Sequence, residues 1–298
     1  MKYIWENPKI IKENKEDGHD LALCYDKADS AAKREASPYK LSLNGTWKFF
    51  WYKGVGALPE KFRSADYDDS SWEDITVPGV WQLQKDYSKP WYYANSFPNC
   101  ICVEKSKIPS IDISGQEVAM HRTTFTLPDN WAGREVFLHF GAVKAGISVY
   151  VNGEYVGYSQ GSMTPHEFDV TKFLRPGKNT LAAEVYRYTD GTYLEDQDMW
   201  FLSGIYREVY LYSEPKTCLR DFYIKTELIN NYTDADLTVN MLIKDYSEGG
   251  KTVKIEATLL TVSKPNVIGS TEIVTVAGEN KITDEMDINR YIREDVLK

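Results

Sequence analysis

The rhythm of apolar and polar positions changes near residue 40. Before that point the chain is polar and irregular, with a short helical stretch in "DSAAKREASP", where Asp29 or Ser30 is placed to cap and Pro38 to stop the helix. Such a segment suits an arm that wraps a domain better than a piece of its core. From Leu41 onward, "LSLNGTWKFFWY", "REVFLHFGAV" and "GISVYVNGEYVGYS" alternate or run apolar over strand lengths. Two of them carry Asn-Gly, at Asn44-Gly45 and Asn152-Gly153, and both pairs read as hairpin turns. Antiparallel sheet is the expectation.

The same pattern continues through "HEFDVTKFL", "RPGKNTLAAEVYRY" and "GIYREVYLYS", with a turn at Pro176-Gly177 and with Val185, Ile205, Val209 and Leu211 placed to line inner faces. About eight to ten short strands and few convincing helices predict a jelly-roll β-sandwich. A polar joint at Ser213-Glu214-Pro215-Lys216 then leads into "CLRDFYIKTELI", "ADLTVNMLIKDY", "KTVKIEATLL" and "STEIVTVAG", four plain strands of immunoglobulin-like size and spacing. The predicted fold is therefore all-β, with an N-terminal arm over 1–40, a jelly roll over 41–215 and an immunoglobulin-like sandwich over 216–298. A last segment of about 80 residues is short for seven strands, and "DEMDINRYIREDVLK" ends on charged positions, so the second sandwich is read as incomplete.

Composition narrows the partners. With 298 residues, 42% hydrophobic and 27% charged, the chain can build two cores without a metal or disulfide staple. A net charge of -9 and a pI near 5.1 disfavour nucleic acid and anionic membrane. Cys24, Cys100, Cys102 and Cys218 contain no CxxC pair, which disfavours a zinc site or a disulfide framework. The N-terminus is charged too early for a signal peptide and no apolar run reaches membrane-spanning length, so a cytoplasmic location is expected. Aromatics make up 13% of the chain, including 8 Trp and 21 Tyr, which suits sheet packing or stacking on flat apolar ligand faces.

The candidate chemistry gathers in "RYTDGTYLEDQDMWFLSGIYREVY", residues 187–210, where Asp190, Glu195, Asp196 and Asp198 stand beside Tyr193, Met199, Trp200, Phe201 and Leu202. A carboxylate there can accept from a sugar hydroxyl, ligate a cation or serve a glycosidase; the competing reading is a solvated loop with an Asx-type turn at Asp190-Gly191. Apolar neighbours argue for partial burial, in which case Arg187 and Arg207 are the expected partners, leaving Asp190 or Asp198 for a ligand. Trp81, Trp91, Tyr92 and Tyr93 form a second aromatic segment, suited to a pyranose face or to a core. His19, His121, His139 and His166 are dispersed, with His139 read as a satisfied residue on a strand face, and metalloenzyme chemistry is disfavoured. No G-x-S-x-G elbow, Walker loop or dinucleotide fingerprint occurs; Ser159 and Ser162 lie at the outer end of a hairpin.

Four blocks, "WENPKI" (5–10), "REASPYKLSLNGTWKF" (34–49), "VPGVWQLQ" (77–84) and the run from Val151 to Leu211 containing "RYTDG", resemble in order the N-terminal region of the long, lactose-type bacterial β-galactosidases of glycoside hydrolase family 2. The resemblance implies a galactose-binding-like jelly roll, then an immunoglobulin-like sandwich, then a TIM barrel with both catalytic glutamates, which is absent here. It implies a retaining hydrolysis of terminal β-D-galactosides by the full-length protein and no turnover by this chain alone, since the catalytic carboxylate pair is missing. By the same resemblance, Asp190 binds the galactose primary hydroxyl and a sodium ion whose other ligands come from the barrel. Sodium and magnesium are the cofactors implied for the full-length enzyme. The family's second contribution, an asparagine near the aglycone, falls on Ala94 in "KPWYYANSFP", with Asn95 one step later as the candidate. Trp5 to Pro8 match an arm that supports a subunit interface, so a homo-oligomer is implied for the full-length enzyme. A freestanding carbohydrate-binding module is the main alternative, and an adhesion protein of two sandwiches the third.

Overall fold

The computed structural model describes residues 3–54, 60–94, 108–260 and 265–287. Strands β1 (Lys12–Glu13), β2 (Lys40–Ser42), β3 (Gly45–Lys53), β4 (Glu73–Val77) and β5 (Trp91–Tyr93) come first. They are followed by β6 (Glu117–Thr126), β7 (Glu135–Phe140), β8 (Val143–Lys144), β9 (Gly146–Val151), β10 (Glu154–Gln160) and β11 (His166–Asp169). Then come β12 (Lys178–Tyr186), β13 (Met199–Phe201), β14 (Gly204–Ile205) and β15 (Val209–Glu214), and last the long β16 (Thr217–Ile229), β17 (Asp234–Leu260) and β18 (Pro265–Asp287). The backbone divides into two compact units, Met1–Asp17, Tyr25–Ala132 and Val136–Ser213 in one, Gly18–Cys24, Gly133–Glu135 and Glu214–Lys298 in the other.

The first unit is a β-sandwich. One sheet runs β1-β10-β9-β12-β6-β3-β4 and the other β11-β7-β15-β2. Their facing sides come from period-two patterns: Ile147, Val149 and Val151 of β9 and Leu181, Ala183 and Val185 of β12 meet Val136, Leu138 and Phe140 of β7 and Val209 and Leu211 of β15. Each of the larger apolar side chains contributes roughly 1.5–3 kcal/mol on burial. The outer face of the larger sheet is covered as well, since Met120, Tyr150 and Ala182 pack with Phe62 and Trp72 from the 60–72 segment. That is why β9 and β12 carry almost no exposed position and why Glu184, on the covered face, needs Arg63 and the Tyr186 hydroxyl (2.6 Å) as partners.

Of the two Asn-Gly pairs, only one turns a hairpin. Asn152 and Gly153 have φ of 54° and 90° and join β9 to β10, as a tight turn between right-twisted strands requires. Asn44-Gly45 instead forms a corner: β2 pairs with β15 in the small sheet, whereas β3 pairs with β4 and β6 in the large one. The Asn44 side chain is occupied there, its Oδ1 accepting from the Val209 N–H at 2.8 Å. Local turn chemistry reads the bend correctly but not which sheet receives each arm.

The N-terminal segment closes the open side of the sandwich. Lys12 and Glu13 pair with Ser159 and Tyr158 of β10, an outer strand of one sheet, while Lys15 bridges to Phe168 of β11, an outer strand of the other. Edge groups that invite aggregation are thereby paired. The short helix spans Ala28–Ala32 with Lys27 at its N-cap and no side-chain cap, so Asp29 and Ser30 both lie inside its first turn. It ends at Lys33, before Arg34 turns into the left-handed region at φ 53°, well short of Pro38.

The second unit contains one antiparallel sheet, β16-β17-β18, with Leu237, Val239 and Met241 at the centre of its apolar cluster. Two segments expected as separate strands are one here. "ADLTVNMLIKDY" and "KTVKIEATLL" belong to β17, and the register shifts around Gly249, with φ of 82° there and 77° at Gly250, form a bulge between them. The facing layer of an immunoglobulin-like sandwich is not among the described residues.

Candidate functional site

Three strand ends of the large sheet converge to build the site. Register pairs Gln160 of β10 with Gly146 of β9, and Gly146 in turn with Tyr186 of β12, so the chain leaving β12 as Arg187-Tyr188-Thr189-Asp190 runs directly past Gln160. The exit is held by side chains that imitate a strand: Gln116, fully buried, donates to the Tyr188 carbonyl at 2.8 Å and accepts from its N–H at 3.1 Å. A 3-10 turn, Asp190–Tyr193, follows. Thr189 at its N-cap and Thr192 exchange hydrogen bonds in a capping box, so the turn starts at a defined residue.

Asp190 is buried, with 6% of its surface exposed. Its Oδ1 accepts from Gln160 Nε2 at 2.7 Å and from the Gly191 N–H at 2.9 Å, whereas Oδ2 accepts nothing from the described residues and no described cation pairs with the group. The backbone donor to Asp190 is the next residue, Gly191, not the one two residues on that an Asx turn uses, and a solvated loop would leave this carboxylate in water.

The neighbouring acids are engaged one by one, and not by the arginines the sequence suggests. Asp196 pairs with Lys144 of β8, both buried, and Lys144 Nζ also donates to the Trp200 carbonyl at 3.2 Å. Glu195 accepts from the Ser162 N–H at 2.8 Å and from its hydroxyl, and Asp198 from the Tyr92 hydroxyl. Arg187 instead pairs with Glu117 of β6 at 2.5 Å and donates to the Lys89 carbonyl at 3.1 Å, while Arg207 donates to the Met163 carbonyl at 3.2 Å. Asp190 and Asp198 each keep one carboxylate oxygen without a donor among the described residues, Asp190 buried and Asp198 exposed. Burial pushes the Asp196 carboxyl up, with Lys144 opposing it.

The aromatic segments split. Trp81 is fully buried in the main core and Phe201 lies in a smaller cluster with Trp5, Tyr158, Tyr186 and Tyr188. Trp91, Tyr92, Met199 and Trp200 are exposed on a two-stranded ribbon of β5 and β13, with the Tyr92 and Trp200 rings 5.6 Å apart. Ala94 is exposed just past β5; Asn95 lies outside the described residues, as do Cys100 and Cys102.

His139 is satisfied as expected, bonded to Glu167 at 3.0 Å and stacked on Tyr210. His166 is buried against Ser159, with Nδ1 and Oγ 2.6 Å apart, and Ser162 is committed to Glu195. Among the described residues no three His, Cys, Asp or Glu side chains gather around a point that could hold a metal. Asp190 can offer a cation its second carboxylate oxygen. Sequence reasoning missed Gln160, Tyr158 and Lys144. The hairpin at Asn152-Gly153 placed Gln160 near Gly146 in principle, but the irregularity between Tyr155 and Gly157 shifts the register and so the partner.

A family model described as "Glycosyl hydrolases family 2, sugar binding domain" matches residues 41–215. A beta-galactosidase of Priestia megaterium is 38% identical over 244 residues, which is 81% of this chain and 23% of that protein. Another of Clostridium acetobutylicum is 34% identical over 291 residues, 97% of this chain and 32% of that protein. The chain therefore spans about a quarter to a third of the length of these curated relatives. Among solved structures, a Bacteroides uniformis beta-glucuronidase matches with a TM-score of 0.64 at 21% identity, over 83% of this chain and 27% of that one, a likeness of fold. Sandwich, ordered motifs and sequence relatives agree, and the chain belongs to glycoside hydrolase family 2, whose sugar-binding N-terminal domain it carries.

Proposed function

We propose that this chain is the N-terminal part of a β-galactosidase that hydrolyses terminal β-D-galactosides with retention. The catalytic carboxylates lie in a part of the protein outside this sequence, and Asp190 lends a loop carboxylate to their pocket. The observation that carries the reading is Asp190 itself: a buried acid with one oxygen fixed by two donors and the other unbonded among the described residues. A carboxylate so placed accepts from a sugar hydroxyl more strongly than a neutral group and neutralises part of a sodium ion. Bound sodium would supply positive charge at the sugar; Asp190 would orient it and the hydroxyl together. The place of magnesium in the full-length enzyme, like homo-oligomer formation there, is part of the proposal only.

The test is Asp190→Ala in the galactosidase that contains this chain. The expected result is a fall in kcat/KM well beyond tenfold with little change in Tm; a loss below tenfold, about 1.4 kcal/mol, would remove Asp190 from the pocket. The purified 298-residue chain is expected to show no turnover of a β-galactoside.

A second reading, a freestanding carbohydrate-binding module, is favoured by the exposed rings of Trp91, Tyr92 and Trp200 on the β5–β13 ribbon. Micromolar binding of galactose by the isolated chain would support it over the first.

A further inference from the structure

Across the two-stranded ribbon of β5 and β13, Trp200 stands opposite Tyr92 and Phe201 opposite Trp91, so the two pairs turn to opposite faces. Phe201 is buried with Trp5, Tyr186 and Tyr188. Tyr92 and Trp200 are therefore the outward pair, 48% and 54% exposed, with rings 5.6 Å apart. The apolar C–H side of a pyranose ring is a partner for such a face.

Two strands alone are marginal in water, and β5 and β13 pair with no strand of either sandwich sheet among the described residues. Arg187 ties both of their backbones down. Its Nη2 donates to the Lys89 carbonyl at 3.1 Å, just before β5, and to the Phe201 carbonyl at 3.4 Å, at the end of β13. Its Nη1 donates to Glu117 at 2.5 Å, and its backbone N–H to the Glu117 carbonyl at 2.9 Å. Trp51 Nε1 fixes the other Glu117 oxygen at 3.1 Å. One guanidinium thus spans β6 and both arms of the ribbon, whereas Lys144 reaches the β13 side alone, at the Trp200 carbonyl.

Stability by itself does not call for this arrangement. Desolvation of a buried ion pair costs about what its attraction returns, and the Arg187 Nε lies buried with no hydrogen-bond partner. The rigid fork of donors accounts for an arginine here: it can serve a carboxylate and two carbonyls at once, which the single nitrogen of a lysine does less well. We infer that Arg187 is a positioning residue, which fixes the β5–β13 ribbon so that Tyr92 and Trp200 present one stacking face to a sugar ring. This rests on the reading of the chain as part of a galactosidase.

The experiment measures kcat and KM for a β-galactoside in the galactosidase that contains this chain, with Arg187→Lys, Trp200→Ala and the double variant. Arg187→Lys keeps the charge beside Glu117 and is expected to retain the parent far-UV spectrum at the assay temperature. Its kcat/KM should fall about fivefold, mostly through KM, because stacking acts on bound substrate and transition state alike. Trp200→Ala should lose about as much. With Arg187 acting through the ribbon, the double variant loses no more than Trp200→Ala alone, whereas independent effects would multiply to about 25-fold. Where Arg187→Lys does not fold, the neutral pair Arg187→Gln, Glu117→Gln takes its place, with no lone charge buried and the same losses expected. Losses that multiply, or an Arg187 variant within twofold of the parent, overturn the inference. If Trp200→Ala is itself within twofold, the ribbon does not meet the sugar, and the inference falls while the galactosidase reading stands. A parent protein that turns over no β-galactoside removes both.

Discussion

Lys144 sits between the Asp196 carboxylate and the Trp200 carbonyl, tying two points of the acidic loop to strand β8. Lys144→Met leaves Asp196 buried without its cation, and a loss of roughly 3–5 kcal/mol is expected. The sign with pH comes from the raised Asp196 carboxyl, which rises further once the opposing Lys144 is gone. The folded variant then takes up a proton at a pH where the unfolded chain does not, so its deficit is largest at neutral pH and shrinks as pH falls toward the carboxylate range. Urea unfolding of parent and variant at pH 7 and pH 5 checks this; an equal deficit at both would place the Asp196 charge elsewhere.

Two buried histidines set an acid limit on stability. Burial lowers His121 to about 4 and His166 to about 3. Below about 6.5 the unfolded chain binds protons that the folded chain refuses, so stability present above that pH is lost as pH falls toward these values. Each contributes a slope of up to about 1.4 kcal/mol per pH unit. The double variant His121→Gln, His166→Gln should unfold with a flatter dependence between pH 6.5 and 4.5 in urea titrations. An unchanged slope would mean that carboxylates alone cause the acid loss.

At Gly157 the arm passes close against the sandwich. A Cβ there would overlap the Glu13 carbonyl oxygen and stand 2.9 Å from Phe168 Cε1, so one of two backbones must move. Gly157→Ala is expected to release β1, raising hydrogen exchange in the peptide spanning 8–17. Gly18→Ala, with nothing within 4 Å, should leave it unchanged. Protection of 8–17 that survives Gly157→Ala would show that the pairing of β1 tolerates a shift of register.

Trp200 is 54% exposed on the ribbon, so its removal leaves the core intact. Trp200→Ala should change stability by less than about 1 kcal/mol. Any galactose affinity of the isolated chain should drop with it, as read by titration calorimetry. Retained affinity would move sugar binding off the ribbon.

Much of the architecture was legible because its causes are local. Period-two alternation in "GISVYVNGEYVGYS" and "NTLAAEVYRY" places Ile147, Val149 and Val185 in the core, where they are found. Asn152-Gly153 turns its hairpin because both residues can take positive φ. Asn44-Gly45 looked the same and is not a hairpin, since the destination of a strand leaving a bend depends on which sheet has room for it. The loop acids show the same division. The burial of Asp190 and Asp196 was legible from Phe201 and its neighbours, but Arg187, adjacent in sequence, serves Glu117 instead.

Local pattern in the chain was enough to establish the all-β class and the strand rhythm, and the resemblance of its ordered motifs to known sequences pointed to the family and to Asp190. Which group holds each carboxylate was settled by the packed fold alone, because the partners are distant along the chain. Gln160 is 30 residues from Asp190, Lys144 is 52 from Asp196 and Arg187 is 70 from Glu117. Backbone preference and side-chain periodicity act over a few residues, whereas a buried charge takes whichever donor the packed sheets bring within about 3 Å of it.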